Sequence, residues 1–375
     1  MNIPMVDLQG QYRRLKKEID TEIQKVLDNS TYINGPAVNE FAADLEKYLG
    51  VKHVIPCANG TDALQVAMMG LGLKAGDEII TTTFTFIATA EVIALLGLTP
   101  VLVDVLEDTM NIDPDAIRKA ITPKTKAIVP VHLFGQCANM DEIMKIAGEH
   151  NLFVIEDNAQ AIGATYTFKN GKKLKAGTIG HIGCTSFFPS KNLGAYGDGG
   201  AIFTNDDKMA DQMRAVVNHG MKVRYYHDYV GINSRLDSIQ AAILKVKLPH
   251  LDDFAKARNY AANYYNAAFA HCDKLTTPVT ASFTDHVFHQ YTLVLNGVDR
   301  EKLQKHLSEQ GISNAVYYPV PLHQQKAYLD ERYTEGSFPI AEKLAANVVS
   351  LPIHTELNDE QLKYITDAVL AFVQN

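Results

Sequence analysis

The apolar positions of this chain follow two rhythms. Leu8, Tyr12, Leu15, Ile19, Ile23 and Val26 recur at helical spacing and predict an opening amphipathic helix, with Asp7 as its cap. Tyr32-Ile-Asn-Gly-Pro36 breaks that pattern. From residue 53 to about 205, short continuous apolar runs alternate with helical stretches. The runs are His53–Ala58, Glu78–Thr82, Val101–Val105, Ala127–His132, Phe153–Asp157, Cys184–Phe188 and Ala201–Thr204. Strands that are apolar throughout and separated by helices predict a largely parallel sheet covered on both faces. Ligands of such sheets bind beyond the carboxyl ends of the strands. Asp157 closes one strand at that edge.

The texture changes after about residue 240. Helices are expected at Ser238–Leu248 and Leu251–Ala270, a strand at His289–Leu295, a helix at Asp299–Gln310, a strand at Asn314–Tyr318, and two helices near the end. This predicts a large α/β domain over residues 1–240 and a smaller α+β domain over 241–375, which the N-terminal helix is a candidate to join. A chain of 375 residues, 46% hydrophobic, also asks for more than one core.

Composition narrows the function classes. The net charge of −8, with basic residues scattered, offers no stripe for nucleic acid. The longest apolar stretch, Val92 to Val103, is interrupted by Gly97, Thr99 and Pro100 and is too short to span a bilayer. The first residues lack the basic and apolar regions of a signal peptide. Cys57, Cys137, Cys184 and Cys272 are widely spaced, which suits reduced thiols in a cytoplasmic protein and no metal site.

Candidate chemistry centres on Lys191, in Ser186-Phe-Phe-Pro-Ser-Lys191-Asn-Leu-Gly-Ala-Tyr-Gly-Asp-Gly-Gly200. A lysine in an apolar, glycine-rich segment loses its charge more easily, and a desolvated amine suits Schiff-base chemistry. Pyridoxal phosphate enzymes hold their aldehyde on such a lysine and set a carboxylate against the pyridine nitrogen. In Val154-Ile-Glu-Asp157-Asn-Ala-Gln160, alternation sends Glu156 and Asp157 to opposite faces, so only one need point into the crevice, and Asp157 is the candidate. A strand-end aspartate also commonly caps the next helix. Asn59-Gly60-Thr61-Asp62 follows a strand and opens a helix, where free N–H groups and the Thr61 hydroxyl can hold a phosphate; simple capping is the commoner use of Thr and Asp there. Phe86, in Thr85-Phe86-Ile-Ala-Thr, can stack on a ring or fill the core. Ser186 can donate to a phosphate, and the glycines near Lys191 lack the Walker order.

These segments, with Gly197-Asp-Gly-Gly200 and Gly231-Ile-Asn233-Ser-Arg235-Leu-Asp, come in the order found in one family. From about residue 3 to its end the chain resembles the nucleotide-sugar aminotransferases of the DegT/DnrJ/EryC1/StrS family. The resemblance implies an aspartate-aminotransferase-like fold (fold type I), pyridoxal 5'-phosphate as cofactor, and a homodimer with active sites at the interface. It makes Lys191 the Schiff-base lysine, Asp157 the partner of the pyridine nitrogen, Gln160 the neighbour of the phenolic oxygen and Phe86 the stacking ring. Gly60, Thr61 and Ser186 become phosphate contacts, with Asn233 supplied by the other subunit. Arg235, Tyr317, Tyr318 and His323 fall where the sugar is held, and Arg224 is a further candidate. Asn158 departs from the Ala or Ser common in relatives, and Tyr317 stands where glucuronate-type relatives carry histidine.

The implied reaction moves an amino group from L-glutamate to a keto-sugar nucleotide in amino-sugar and surface-polysaccharide synthesis. Gln160 and the Asn233-Ser-Arg235 block favour a 3-keto over a 4-keto sugar, linked to UDP or dTDP. A pyridoxal phosphate dehydratase would replace Lys191 by histidine, and a non-catalytic cofactor-binding regulator would be expected to add a DNA-binding segment.

Overall fold

The computed structural model describes residues 1–374. Helices α1 (Leu8–Asp28) and α2 (Pro36–Leu49) lead into β1 (His53–Cys57) and α3 (Gly60–Gly70). The alternation continues through β2 (Glu78–Thr82), α4 (Ala88–Leu95), β3 (Thr99–Val103), α5 (Pro114–Ala120), β4 (Thr125–Val129), α6 (Met140–His150) and β5 (Phe153–Asp157). A small pair, β6 (Thr165–Thr167) and β7 (Lys173–Lys175), precedes β8 (Ile182–Ser186), β9 (Gly200–Thr204) and α7 (Asp207–Val216). Strands β10 (Met221–Val223) and β11 (Tyr226–His227) then lead to α8 (Ser238–Lys247) and α9 (Leu251–Phe269). The remainder comprises β12 (Leu275–Thr276), β13 (Tyr291–Leu295), α10 (Arg300–Glu309), α11 (Pro339–Asn347), β14 (Val348–Leu351) and α12 (Asp359–Val373).

The large sheet runs β1-β9-β8-β5-β4-β2-β3. Every neighbour from β3 across to β8 is parallel. Only β9 is reversed, antiparallel to both β8 and β1. The period of two along each strand feeds separate cores on the two faces. Ile79 and Ile155 join a cluster with α3, α4 and α7, while their neighbours Ile80 and Val154 join one with α5 and α6. This is why the strands read as apolar throughout. The architecture is α/β with a mostly parallel central sheet, as expected for fold type I.

The later residues form the antiparallel sheet β12-β13-β14, whose core includes Leu303 of α10 and Leu362 of α12. Helix α9 serves both regions. Leu251 and Phe254 pack with α1, α2 and α8, whereas Ala261, Tyr265 and Phe269 pack with the small sheet. The opening helix, capped by Asp7 Oδ1 accepting from Gly10 N, lies on α8 and reaches the small sheet's side through the Arg14–Glu356 ion pair. Ile3, just before it, bridges to Ile312 and is the N-terminal residue in that smaller core.

Some expected elements shift. The strand expected at Asn314–Tyr318 does not form. Ala315 alone bridges, to Ser350, after which the chain turns and the Tyr318 ring packs against Phe84 and Phe134. Pro319 and Pro321 follow and supply no N–H groups to extend a ladder. The small sheet instead recruits β14, which sequence pattern did not separate from the final helices. Among the described residues no helix is long and apolar enough to cross a membrane, and no group of three or more His, Cys, Asp or Glu side chains could hold a metal ion. The four cysteines are free thiols.

Candidate active site

Strands β1, β2, β5 and β8 point the same way, so the residues that follow them meet along one edge of the sheet. Gly60, Phe86, Asp157 and Ser186 all lie there. Asp157 is buried and fixed at both oxygens. Its Oδ2 accepts from Thr89 Oγ1 at 2.8 Å and its Oδ1 from Ala159 N at 3.1 Å. Glu156 faces the other way and is enclosed. It accepts from His132 Nε2 at 2.7 Å and from the backbone N–H groups of Gly177, Ile179 and Gly180. His132 Nδ1 accepts from Ala138 N at 3.1 Å, which leaves Nε2 as the protonated nitrogen. Glu156 therefore ties down a loop, and Asp157 is the carboxylate left at the edge. Asn158 also faces inward, donating from Nδ2 to Ala176 O at 3.0 Å.

Lys191 sits in the turn after β8. Its N–H donates to Phe188 O, and Ala195 N donates to Phe187 O, both at 2.8 Å. A Cβ at Gly194 would fall 2.2 Å from Pro189 O, so this turn requires glycine there. Burial pushes the Lys191 amine down to about 8, and the negative charge of Asp157 partly opposes that shift. This influence of Asp157 on Lys191 places the amine and the carboxylate in one site.

At the start of α3 the cap is Asn59, whose Oδ1 accepts from Asp62 N at 2.8 Å. Neither Thr61 nor Asp62 caps the helix. Among the described residues, the N–H groups of Gly60 and Thr61 and the Thr61 hydroxyl have no hydrogen-bond partner. Ser186 crosses close by: a Cβ on Gly60 would lie 2.7 Å from the Ser186 Cβ. Ser186 Oγ accepts from Phe188 N at 3.2 Å and keeps its own proton free to donate. Two open N–H groups, two hydroxyls and a helix N-terminus have the chemistry to receive a phosphate.

Gln160 is held at one end, its Oε1 accepting from Phe134 N at 2.8 Å, so its amide donates to Tyr318 Oη at 2.9 Å. Phe86 is 56% exposed, unusual for an aromatic at a sheet edge, and lies 6.4 Å from the Tyr318 ring. Tyr317 precedes Tyr318 and is half-buried.

Other expected residues stand apart. Both ring nitrogens of His323 are occupied, Nδ1 by Thr83 Oγ1 at 2.8 Å and Nε2 by Glu342 Oε1 at 3.1 Å. Asn233 is exposed, while its buried neighbour Ser234 accepts from Ala58 N at 3.0 Å. Arg235 is half-buried and makes no side-chain hydrogen bond or ion pair among the described residues. Arg224 lies over the Tyr225 ring in the β10–β11 pair. Sequence reasoning missed Thr89 and the Phe134 N–H, which orient Asp157 and Gln160. Thr89 lay within the Thr85–Thr89 motif, where only the phenylalanine had been read for chemistry; nothing in the sequence marks Phe134.

The donor set fits a phosphorylated aromatic aldehyde. It supplies an anion site, an exposed ring, a fixed carboxylate and an amine that loses its proton near neutrality. Comparison with known proteins agrees. A pleiotropic regulatory protein from Geobacillus stearothermophilus is 48% identical over 100% of both chains. A UDP-2-acetamido-2-deoxy-3-oxo-D-glucuronate aminotransferase from Pseudomonas aeruginosa is 45% identical, covering 98% of this chain and 99% of its own. The crystal structure of DesV from S. venezuelae, solved with a ketimine intermediate, superposes with a TM-score of 0.95 at 40% identity, over 100% of this chain and 99% of that one. Residues 13–370 match one family as a whole, and the chain belongs to the DegT/DnrJ/EryC1/StrS aminotransferase family.

Proposed function

We propose that this chain transfers an amino group from L-glutamate to the 3-keto position of a nucleotide-linked sugar. The observation that carries the reading is the pairing of Lys191, whose amine is shifted to about 8, with the fixed carboxylate of Asp157. The Pseudomonas relative, named for a 3-oxo sugar nucleotide, supports the position of the ketone.

Pyridoxal phosphate, the cofactor of this family, supplies when bound a ring that takes up the electron pair left as a proton departs the carbon next to the amine. Asp157, held by Thr89 and Ala159 N, would keep a proton on the ring nitrogen. Gly60, Thr61 and Ser186 would hold the phosphate, Phe86 would cover the ring, and the Gln160–Tyr318 pair would face its phenolic oxygen. The Lys191 amine would take the proton from the donor's amine-bearing carbon in the first half-reaction and would deliver a proton to the acceptor's former carbonyl carbon in the second. Arg235 and Tyr317 are assigned to the sugar nucleotide, and His323, both of whose ring nitrogens are engaged by Thr83 and Glu342, is assigned a supporting role.

The lowered pKa has a direct consequence. Only the neutral amine attacks an aldehyde, and at pH 7 roughly a tenth of Lys191 is neutral. The rate at which cofactor-free protein recaptures pyridoxal phosphate should therefore rise with pH and level off above about 8. Stopped-flow absorbance measures it; a midpoint near the ordinary lysine value would contradict the shift.

The exposed Asn233, set opposite buried Ser234, supports a homodimer in which each chain completes its partner's phosphate site. Buried free thiols at Cys57, Cys137 and Cys184 support a cytoplasmic setting.

The Geobacillus relative's name favours a regulator as the second reading. A panel of 3-keto and 4-keto sugar nucleotides, offered after glutamate, separates these. The visible cofactor band should bleach with glutamate and return with a 3-keto acceptor. No bleaching would favour the regulator, and recovery with 4-keto acceptors alone would move the ketone.

A further inference from the structure

A second lysine, fully buried, contacts the turn that carries the first. Lys247, at the end of α8, has no exposed surface and forms no ion pair among the described residues. Its Nζ donates to Gly194 O at 2.7 Å and sits 4.2 Å from the centre of the Tyr196 ring. Burying an ammonium without a carboxylate is costly, and burial pulls this amine down to about 7. A methionine could fill the same volume at no such cost, so the lysine serves the backbone it holds.

That backbone is the turn of Lys191. Gln240, two helical turns earlier on the same face of α8, accepts from Tyr196 N at 2.8 Å through its Oε1. The Gln240 side chain also lies against Gly197, where a Cβ would fall 2.9 Å from Nε2. Helix α8 thus grips residues 194 to 197 at both ends. It is itself packed against α1 and α2.

We propose that Lys247 is a positioning residue for Lys191, acting through the Gly194 carbonyl to fix the turn from which the Lys191 amine reaches the cofactor. The idea rests on the aminotransferase reading. Its tests include a signal that needs no turnover.

Lys247→Met in the intact holoenzyme should lower kcat roughly ten- to hundredfold, because a displaced proton-transferring amine loses rate steeply. KM for both substrates should stay within about twofold. The pH midpoint of the visible cofactor band should move by at least about half a unit as water reaches the loosened turn. Lys247→Arg, which keeps a cationic donor, should recover part of both effects. A Lys247→Met protein with lowered melting temperature but unchanged kcat and band midpoint would overturn the proposal and leave Lys247 a stability residue. Should that variant fail to fold, Gln240→Leu removes the other tie while leaving the lysine. It must shift kcat and the midpoint in the same direction, and no change in either would equally overturn the idea. Absence of transamination by the wild-type protein would instead count against the parent reading, since the band midpoints could still be compared.

Discussion

Replacing Lys191 by alanine is expected to abolish transamination while leaving the fold intact. The side chain is the amine placed by the turn between β8 and β9, and the turn's own hydrogen bonds are made by backbone groups. Loss of both the attachment point and the proton carrier should cost about 10³-fold or more. Borohydride reduction of the wild-type holoenzyme followed by peptide mapping should label Lys191, and label on another lysine would reject the assignment. The same variant tests the shared site. Asn233→Ala should be nearly inactive alone if each chain completes its partner's phosphate site. Mixed Lys191→Ala and Asn233→Ala chains would then form heterodimers with one intact site and one doubly defective site, and activity would partly return. If Asn233 served its own chain, no heterodimer site would be intact. Absence of recovery, with heterodimers demonstrated by mass, would reject sharing.

Asp157→Asn should be the next most damaging change. The amide preserves size and can still meet Thr89, but it carries no charge to keep a ring nitrogen protonated. A preorganised charge of this kind contributes about a hundredfold or more in rate. Both half-reactions should slow in single-turnover measurements, while the cofactor remains bound through Gly60, Thr61 and Ser186. A second signature follows from sign. The Asp157 charge raises the Lys191 pKa, so its removal should let that value fall further below about 8 and move the amine's titration to lower pH. Near-normal turnover would return Asp157 to the role of a strand-end cap.

Much of this candidate site was legible because its residues stand at the ends of continuous apolar strands. The run Phe153–Asp157 announced itself, and alternation correctly divided Glu156 from Asp157. The glycines around Lys191 likewise read as a turn, and Gly194 does sit where no side chain fits. The parts that stayed hidden depend on contacts between distant segments. Tyr318 meets Gln160 across 158 positions of sequence, and Lys247 meets Gly194 across 53. The stretch 314–318 has the apolar texture of a strand, but its course is set by the Tyr318 ring settling against Phe84 and Phe134. Asn59, Thr61 and Asp62 are all good cap formers, so the sequence alone does not single out Asn59. Only the geometry shows which side chain turns back.

The reversed strand β9 also dictates when the site can exist. β1 enters the large sheet only by pairing with β9, His53 with Thr204, so the edge strand that leads into Gly60 waits for chain made about 150 residues later. On the ribosome, a nascent chain that has already emerged through Asp157 would still lack a seated phosphate cradle. Cofactor capture is therefore expected late in biogenesis: amino-terminal fragments that stop short of β9 should emerge aggregation-prone and without the visible cofactor band, and a fragment ending before Gly200 that showed that band would contradict this.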